Sequence, residues 1–332
     1  MRILLTGVTG QVGSALCAPL AKFATVLQAD RGQLDLSQPA TLSKALDQLK
    51  PDLIVNPAAY TAVDLAEDER DLAFRVNSDA PAAMAQWASR HGIPLLHFST
   101  DYVFDGSGRA AWREDDVPAP LSAYGASKLA GERAIMDAGC RHLIVRTSWV
   151  YAAQGKNFLR TIARLACERK ELRIVADQFG APTSARIIAD AIVEILGKQL
   201  NGRGDLFNLD GGLINVSASG ETSWHGFADA IISGLKRRGV KLETEQLVAI
   251  ATSEYPTKAT RPQNSRLDHR RLNDRYGIVM PSWRAALAVE LDELTGVVAD
   301  DGGFRNASLV PEEKGNMTER AFDRVNSEDI TD

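Results

Sequence analysis

The stretch MRILLTGVTGQVGSALC (Met1–Cys17) opens with an apolar run, Ile3–Leu5, and breaks at three glycines spaced three apart, Gly7, Gly10 and Gly13. A helix-length segment, Gln11–Leu20, follows at once. A strand that passes through a glycine-rich turn into a helix is a phosphate cradle. Glycine permits the tight turn, the close approach of backbone to a pyrophosphate and the close packing of helix on strand, and the helix N-terminus presents bare N–H groups. A plain βα turn has the same outline, so the turn alone proposes a dinucleotide without proving one.

Further along, apolar runs at Val26–Gln28, Leu53–Val55, Leu95–Phe98 and Leu143–Val145 alternate with helix-length segments at Ala40–Leu49, Ala80–Arg90 and Ala126–Met136. Strand alternating with helix predicts a parallel sheet with right-handed crossovers, and nearly all-apolar strands predict helices on both faces. After Val150 the alternation loosens. Helices are expected at Phe158–Glu168, Arg186–Leu196, Trp224–Leu235 and Trp283–Leu294, and strands at Leu172–Val175, Leu206–Leu209 and Leu247–Ile250. The fold class expected is α/β: a doubly wound parallel sheet over residues 1–150, with 180–212 returning to it, and a smaller α/β substrate domain from 151–179 and 213–298. Polar motifs follow the first, third, fourth and fifth strands: TGVTGQVG, NPAAYTAVD, STDYVFDG and RTSWVYA. Ligands of open parallel sheets bind at the carboxyl ends of strands, so these motifs are expected to share one crevice.

Composition narrows the classes. The net charge is −5, and nine acidic against four basic residues in 299–332 account for all of it, leaving 34 of each sign in the first 298. A balanced body argues against electrostatic nucleic-acid binding, and the polar, acidic tail is expected to be disordered. No stretch approaches a membrane span, and a strand begins at the N-terminus where a signal peptide would need its apolar core; a cytoplasmic location is expected. Cys17, Cys140 and Cys167 are scattered and odd in number, and the five histidines lack metal-ligand spacing, so neither disulfides nor a metal is expected.

Chemistry enters at SAYGASKLAGE, where Tyr124 and Lys128 stand one helical turn apart on a common face. A tyrosine, with an ordinary pKa of about 10, can give a proton to a carbonyl oxygen becoming an alkoxide, and a nearby ammonium is expected to lower its proton affinity. Alone, the pair also fits a solvated surface helix. Thr100, in Ser99-Thr100-Asp101 at the end of the fourth strand, fits by itself a side-chain turn that closes the strand. Asp30, after the second strand, suits an adenosine ribose, whereas Arg31 suits a 2′-phosphate, so use of either NADH or NADPH is expected; a solvated turn is the alternative. Asp35 and Leu36 are placed to flank the adenine.

The GxxGxxG spacing together with YxxxK resembles the short-chain dehydrogenase/reductase superfamily, whose fold is the Rossmann type. The ordered runs NPAAYTAVDLAE, STDYVFDG, YGASKLAGE, RTSWVYA, DQFGAPT and RPQNSRL narrow this further: over Met1–Leu294 the chain resembles the dTDP-4-dehydrorhamnose reductase family. The resemblance implies NAD(P)H-dependent reduction of the 4-keto group of dTDP-4-dehydro-L-rhamnose, for cell-surface polysaccharide. It implies that Gly10, Gln11 and Val12 meet the pyrophosphate, that Ala59, Tyr60 and Thr61 line the cofactor groove, and that Tyr124 and Lys128 meet the nicotinamide ribose. It places Thr100, Asp101 and Trp149 at the sugar, with Thr100 hydrogen-bonded to the substrate carbonyl beside Tyr124, Val63 and Asp64 at the substrate, and Arg261 and Asn264 at the nucleotide diphosphate. By residue type alone Trp149 also reads as a core aromatic and Arg261 as a surface ion pair. Pro57, where relatives commonly carry alanine, removes a backbone donor beside the cofactor. Some relatives bind magnesium through interfacial carboxylates; with Ala15 on the first helix and only Glu290, Asp292 and Glu293 nearby, no metal is expected, and a homodimer stays open. Another nucleotide-deoxysugar 4-ketoreductase and a non-catalytic regulatory subunit of the methionine adenosyltransferase type are the alternatives.

Overall fold

The structure is a computed structural model and describes residues 1–200, Phe207 and 211–296. Its centre is a six-stranded parallel sheet of β1 (Arg2–Leu5), β2 (Thr25–Gln28), β3 (Leu53–Asn56), β4 (Leu95–Thr100), β5 (His142–Thr147) and β10 (Gly212–Asn215), in the order β10-β5-β4-β3-β1-β2. Successive residues of a strand point to opposite faces, and both faces are dry. Ile3, Leu5, Leu53, Val55, Leu96 and Phe98 pack with Leu16 and Leu20 of α1 (Gln11–Ala21) and with Ile188, Ile192 and Ile195 of α7 (Ala185–Leu200). Leu4, Ile54, Leu95 and Ile144 pack on the other face with α2 (Pro39–Leu49), α4 (Ala80–His91) and Ile135 of α5 (Ala123–Asp137). Each fully buried leucine or isoleucine contributes about 1.5–3 kcal/mol, so this two-faced core holds the strand ends rigidly.

The chain moves from β1 to β2 on one side, while β3 and β4 lie on the other, which makes the gap between β1 and β3 the topological switch point. Between β3 and α4 the chain forms a 3₁₀ turn at Leu65–Glu67, the short α3 (Arg70–Phe74) and a π turn at Arg75–Asp79, none of which the apolar pattern announces. The sixth strand, β10, has only Leu213 and Ile214 as an apolar signal. The expected strand Leu206–Leu209 lies, apart from Phe207, outside the described residues, as does the acidic tail.

Beyond β5 come β6 (Val150–Tyr151), α6 (Phe158–Glu168), β7 (Glu171–Val175), β8 (Phe179–Gly180) and β9 (Thr183–Ser184), then, after α7 and β10, β11 (Thr222–Ser223), α8 (Trp224–Arg237), β12 (Gln246–Ile250), α9 (Arg270–Tyr276) and α10 (Trp283–Thr295). β7 pairs in parallel with β12 over five residues, and α6, α8 and α10 pack as neighbours beside them. β10 pairs in parallel with β5, and α7 lies against α1, so the chain after Val150 twice contributes to the central layer.

Candidate active site

The glycine turn has the geometry that its spacing requires. Gly7 has φ +56°, and a Cβ there would stand 2.9 Å from the Cα of Ala58. Gly13 lies so close beneath the turn that a Cβ would come within 2.0 Å of the Gly7 carbonyl oxygen. Gly10 is the N-cap of α1, and no side chain caps the helix. The first N–H groups, of Gln11, Val12 and Gly13, therefore face the crevice without an intrahelical partner, and the positive helix end attracts an anion there. Gln11 Oε1 is buried with no hydrogen-bond partner among the described residues. These residues fit a dinucleotide pyrophosphate. Asp30 is exposed and accepts the Gln33 N–H at 2.9 Å. Asp35 accepts both the N–H and the hydroxyl of Ser37, and these bonds hold its carboxyl below the usual range.

Across the switch point, Ala59, Tyr60 and Thr61 follow β3. Asn77, on the π turn, grips the Tyr60 peptide from both ends, accepting its N–H at 2.8 Å and donating to its carbonyl at 2.9 Å. The Asn77 amide also donates to Ser127 Oγ at 2.9 Å, and Ser127 donates to the Tyr124 carbonyl at 2.7 Å, so this loop and α5 are tied through one buried side chain. Gly131 permits the approach, since a Cβ would lie 2.1 Å from the Asn77 carbonyl oxygen.

Tyr124 stands in the first turn of α5. Ser122 caps that helix by accepting the Gly125 N–H at 3.1 Å, and Glu67 accepts the Ala123 N–H at 2.7 Å. Gly125 rests directly on the Tyr102 carbonyl, where a Cβ would come within 2.2 Å, so the helix start is pressed against the turn that follows β4. Thr100 and Tyr124 come together there: the Thr100 hydroxyl donates to Asp101 Oδ1 at 3.1 Å and accepts the Tyr102 N–H at 3.2 Å while acting on the buried Tyr124 phenol, and Tyr102 meets the Tyr124 ring edge-on at 5.6 Å. Burial pushes the phenol well above its ordinary proton affinity, Thr100 counteracts, and the Asp101 carboxylate adds to the rise. This corrects the expectation that Lys128 lowers it. Lys128 is 2% exposed, and its Nζ donates to the Phe98 carbonyl at 2.8 Å and lies 3.2 Å from His97 Nε2. Burial lowers the ammonium to about 8, with Glu132 opposing. Burial, followed by the Lys128 charge, holds His97 far below its usual range, so the imidazole is neutral.

Asp101 is buried beside Thr100, and burial raises its carboxyl to about 7 against hydrogen bonds from Ser265 and Thr100. Its Oδ2, Ser99 Oγ, Thr147 Oγ1 and Ser148 Oγ are buried without partners among the described residues, all at or just beyond the carboxyl ends of β4 and β5. A hydroxyl-rich ligand answers that chemistry.

Trp149 borders the same strand end with φ +50°, a conformation that bulky side chains rarely adopt. Its indole stacks on Trp224 at 3.6 Å, and its other neighbour is Gly180, where a Cβ would stand 2.7 Å from Cε2. Asp64 and Arg261, assigned separately to the substrate and its diphosphate, form a buried bidentate ion pair at 2.9 and 3.2 Å, and Asp64 also accepts the Ala259 N–H. Arg261 is thus an ion pair, but a buried one that ties the loop after β3 to the loop before Asn264. Asn264 is 2% exposed; it donates to the Ala110 and Ser107 carbonyls and accepts from Arg266, so it braces the loop after β4 and is not aimed at a ligand. Val63 is buried beside Asp64. The STDYVFDG and RPQNSRL runs meet where Gly106, at φ +70°, lies under Pro262. Glu290 is paired with Arg186 and the Ala153 N–H, Glu293 with Arg186, and Asp292 with Arg238.

Thr6, Asn56, Asn77, His97, Ser127, Gly180 and Trp224 are site or supporting residues that sequence reasoning missed. Only Asn56 and His97 gave a signal, as polar residues inside apolar strands.

A family model described as RmlD substrate binding domain matches residues 1–295. A dTDP-4-dehydrorhamnose reductase of Burkholderia thailandensis is 45% identical over 296 residues, covering 89% of this chain and 99% of that protein. Another, of Escherichia coli strain K12, is 41% identical over 298 residues, covering 89% and 98%. A crystal structure of dTDP-4-dehydrorhamnose reductase from Bacillus anthracis in complex with NADP matches with a TM-score of 0.80 at 33% identity, covering 88% of this chain and 99% of that one.

Proposed function

This chain belongs to the RmlD substrate binding domain family, and from that premise we propose that it reduces the 4-keto group of dTDP-4-dehydro-L-rhamnose to give dTDP-L-rhamnose with NAD(P)H, the last step in making that nucleotide sugar. The observation that carries the reading is the placing of Thr100, at the carboxyl end of β4, beside the buried Tyr124 phenol at the start of the helix that also carries Lys128. The nicotinamide cofactor, when bound, supplies the hydride. Gly7, Gly10, Gln11, Val12 and Gly13 hold its pyrophosphate against the end of α1, Asp30, Asp35 and Leu36 flank its adenosine half, and Ala59, Tyr60 and Thr61 line the groove.

Tyr124 keeps its proton at neutral pH because burial raises its proton affinity, and it gives that proton to the carbonyl oxygen as negative charge develops there. Thr100 donates to the same oxygen and orients it. Lys128 presents its ammonium to the nicotinamide ribose. Asp101 and Trp149 hold the sugar, with Val63 beneath. Asp64 and Arg261, locked together, shape the diphosphate end of the crevice, and Asn264 supports it from behind. The units proposed are a cofactor domain of residues 1–150 with 180–212, to which β10 adds Leu213–Asn215, and a substrate domain of 151–179 and the rest of 213–298. The reading extends to the cytoplasm, where nucleotide sugars and NAD(P)H are found, and to a homodimer, which light scattering of the full chain tests.

The test is NAD(P)H consumption by the purified full chain with dTDP-4-dehydro-L-rhamnose, with identification of the product. Formation of dTDP-L-rhamnose supports the reading. Turnover only of a different nucleotide 4-ketosugar replaces the substrate, and no turnover of any removes the catalytic role.

A further inference from the structure

We propose that His97 is a positioning residue for Lys128, accepting one N–H of the ammonium at Nε2 so that the donor left over is aimed at the cofactor ribose. An ammonium has three donors. Phe98 O takes one at 2.8 Å, and His97 Nε2, at 3.2 Å, takes a second. Both acceptors belong to β4, which is rigid and fully buried, so they fix the direction of the third. His97 is 0% exposed, and its neutral imidazole is an acceptor at one nitrogen only.

An accepting Nε2 puts the imidazole proton on Nδ1, which meets the Asn56 amide across 3.0 Å. The far side of that amide is 2.6 Å from Thr6 Oγ1, which also accepts the Ala58 N–H at 3.3 Å. As placed, Asn56 Nδ2 faces Nδ1 and Oδ1 accepts from the Thr6 hydroxyl; the proposed tautomer takes the amide in its other orientation, with Oδ1 accepting from Nδ1–H and Nδ2 donating to Thr6 Oγ1. A buried chain thus runs from Thr6, the last residue before the glycine turn, through β3 and β4 to Lys128 on α5. The Lys128 ammonium sets the tautomer of His97, and the buried chain holds the imidazole in place and with it the direction of Lys128.

Apart from His97, the titratable group acting on Lys128 is Glu132, one turn on, which is held by Arg146 at 2.6 and 2.8 Å and so offers no mobile acceptor. A hydrophobic residue at position 97 would leave the ammonium one acceptor short in a dry site, which is costly in proportion to the charge.

The inference rests on the reading that Lys128 serves the cofactor ribose, and four full-chain variants separate the two. Glutamine can place its amide oxygen where Nε2 stands, whereas asparagine reaches only the Nδ1 position. With NADPH varied and dTDP-4-dehydro-L-rhamnose saturating, His97→Gln should keep kcat/KM within about 3-fold, while His97→Asn and His97→Leu should lose about 10- to 100-fold, the worth of a hydrogen bond to a charged group. Lys128→Met should lose at least as much. If Lys128→Met is nearly inactive while His97→Asn matches His97→Gln, the positioning role fails and the Lys128 reading stands; equal losses in all three His97 variants also overturn it, as a purely structural effect. If Lys128→Met retains normal kcat/KM, the reading beneath it fails. Should His97→Leu not fold, as judged by melting, the comparison of Gln with Asn decides, since both bury the same amide.

Discussion

Replacing Gly180 by alanine tests whether Trp149 forms the wall of the sugar site. The new Cβ would stand 2.7 Å from Cε2 of Trp149 and 3.0 Å from Cδ2 and Cζ2, whereas ordinary contact begins at 3.4 Å. The indole must therefore withdraw by roughly half an ångström to one ångström, and Trp224, stacked on it at 3.6 Å and tilted by 10°, stands against such a shift. Overpacking of this kind costs about 1–3 kcal/mol of stability. The backbone of Trp149 has little tolerance to share it, since it is held at φ +50° with its carbonyl bonded to the Thr183 N–H. A misplacement of about 1 Å at a positioning group can lower rate by about 10²-fold, so kcat/KM for dTDP-4-dehydro-L-rhamnose should fall by about 10- to 100-fold. The glycine turn lies on the other side of the crevice, so the NADPH dissociation constant should stay within about 2-fold. Steady-state rates, cofactor titration by fluorescence and a melting curve measure the three quantities. A lowered Tm with unchanged kcat/KM would refute Trp149 as the sugar wall, and no change in either would refute the packing argument itself.

Three more expectations follow from the same site. Asp101 binds a proton in the folded protein up to about 7, whereas an unfolded aspartate releases it near pH 4, so this group costs stability increasingly as pH rises through that window. The Tm of Asp101→Asn minus that of the parent should therefore grow from about pH 4 to about pH 8; a flat or falling difference contradicts the burial argument. Asn77→Ala removes both bonds to the Tyr60 peptide and leaves buried partners unmet, which should weaken NADPH binding by about 10-fold or more; unchanged affinity by titration would remove Asn77 from the site's support. Deleting the chain beyond Val298 should leave kcat/KM unchanged, because the family match ends at residue 295, and a large loss would mean that the tail contributes to the site.

The parallel sheet and its glycine turn were legible because each strand is a buried apolar run with a polar motif at its end, a pattern that local sequence records directly. β10 was missed because two apolar residues, Leu213 and Ile214, do not make a recognisable run, and it is pairing with β5 that makes them a strand. Tyr124, Lys128 and Thr100 could be named from local spacing and resemblance. Their electrostatics could not, since the rise in the Tyr124 proton affinity comes from burial and Asp101, both products of tertiary packing. The same holds for Asp64 and Arg261, 197 residues apart, whose mutual pairing no window reveals. Asn264 looked like a ligand contact because it stands in a conspicuous motif, but its amide is engaged by the Ala110 and Ser107 carbonyls.

The central claim is that Tyr124 protonates the oxygen of the reduced ketone, and turnover by Tyr124→Phe measures it. The ring, its edge contact with Tyr102 and the helix beneath are retained while only the hydroxyl is lost. With NADPH and dTDP-4-dehydro-L-rhamnose saturating, kcat should fall by about 10²- to 10⁴-fold while the NADPH dissociation constant changes by no more than a few-fold. Near-normal turnover with intact cofactor binding would contradict the account.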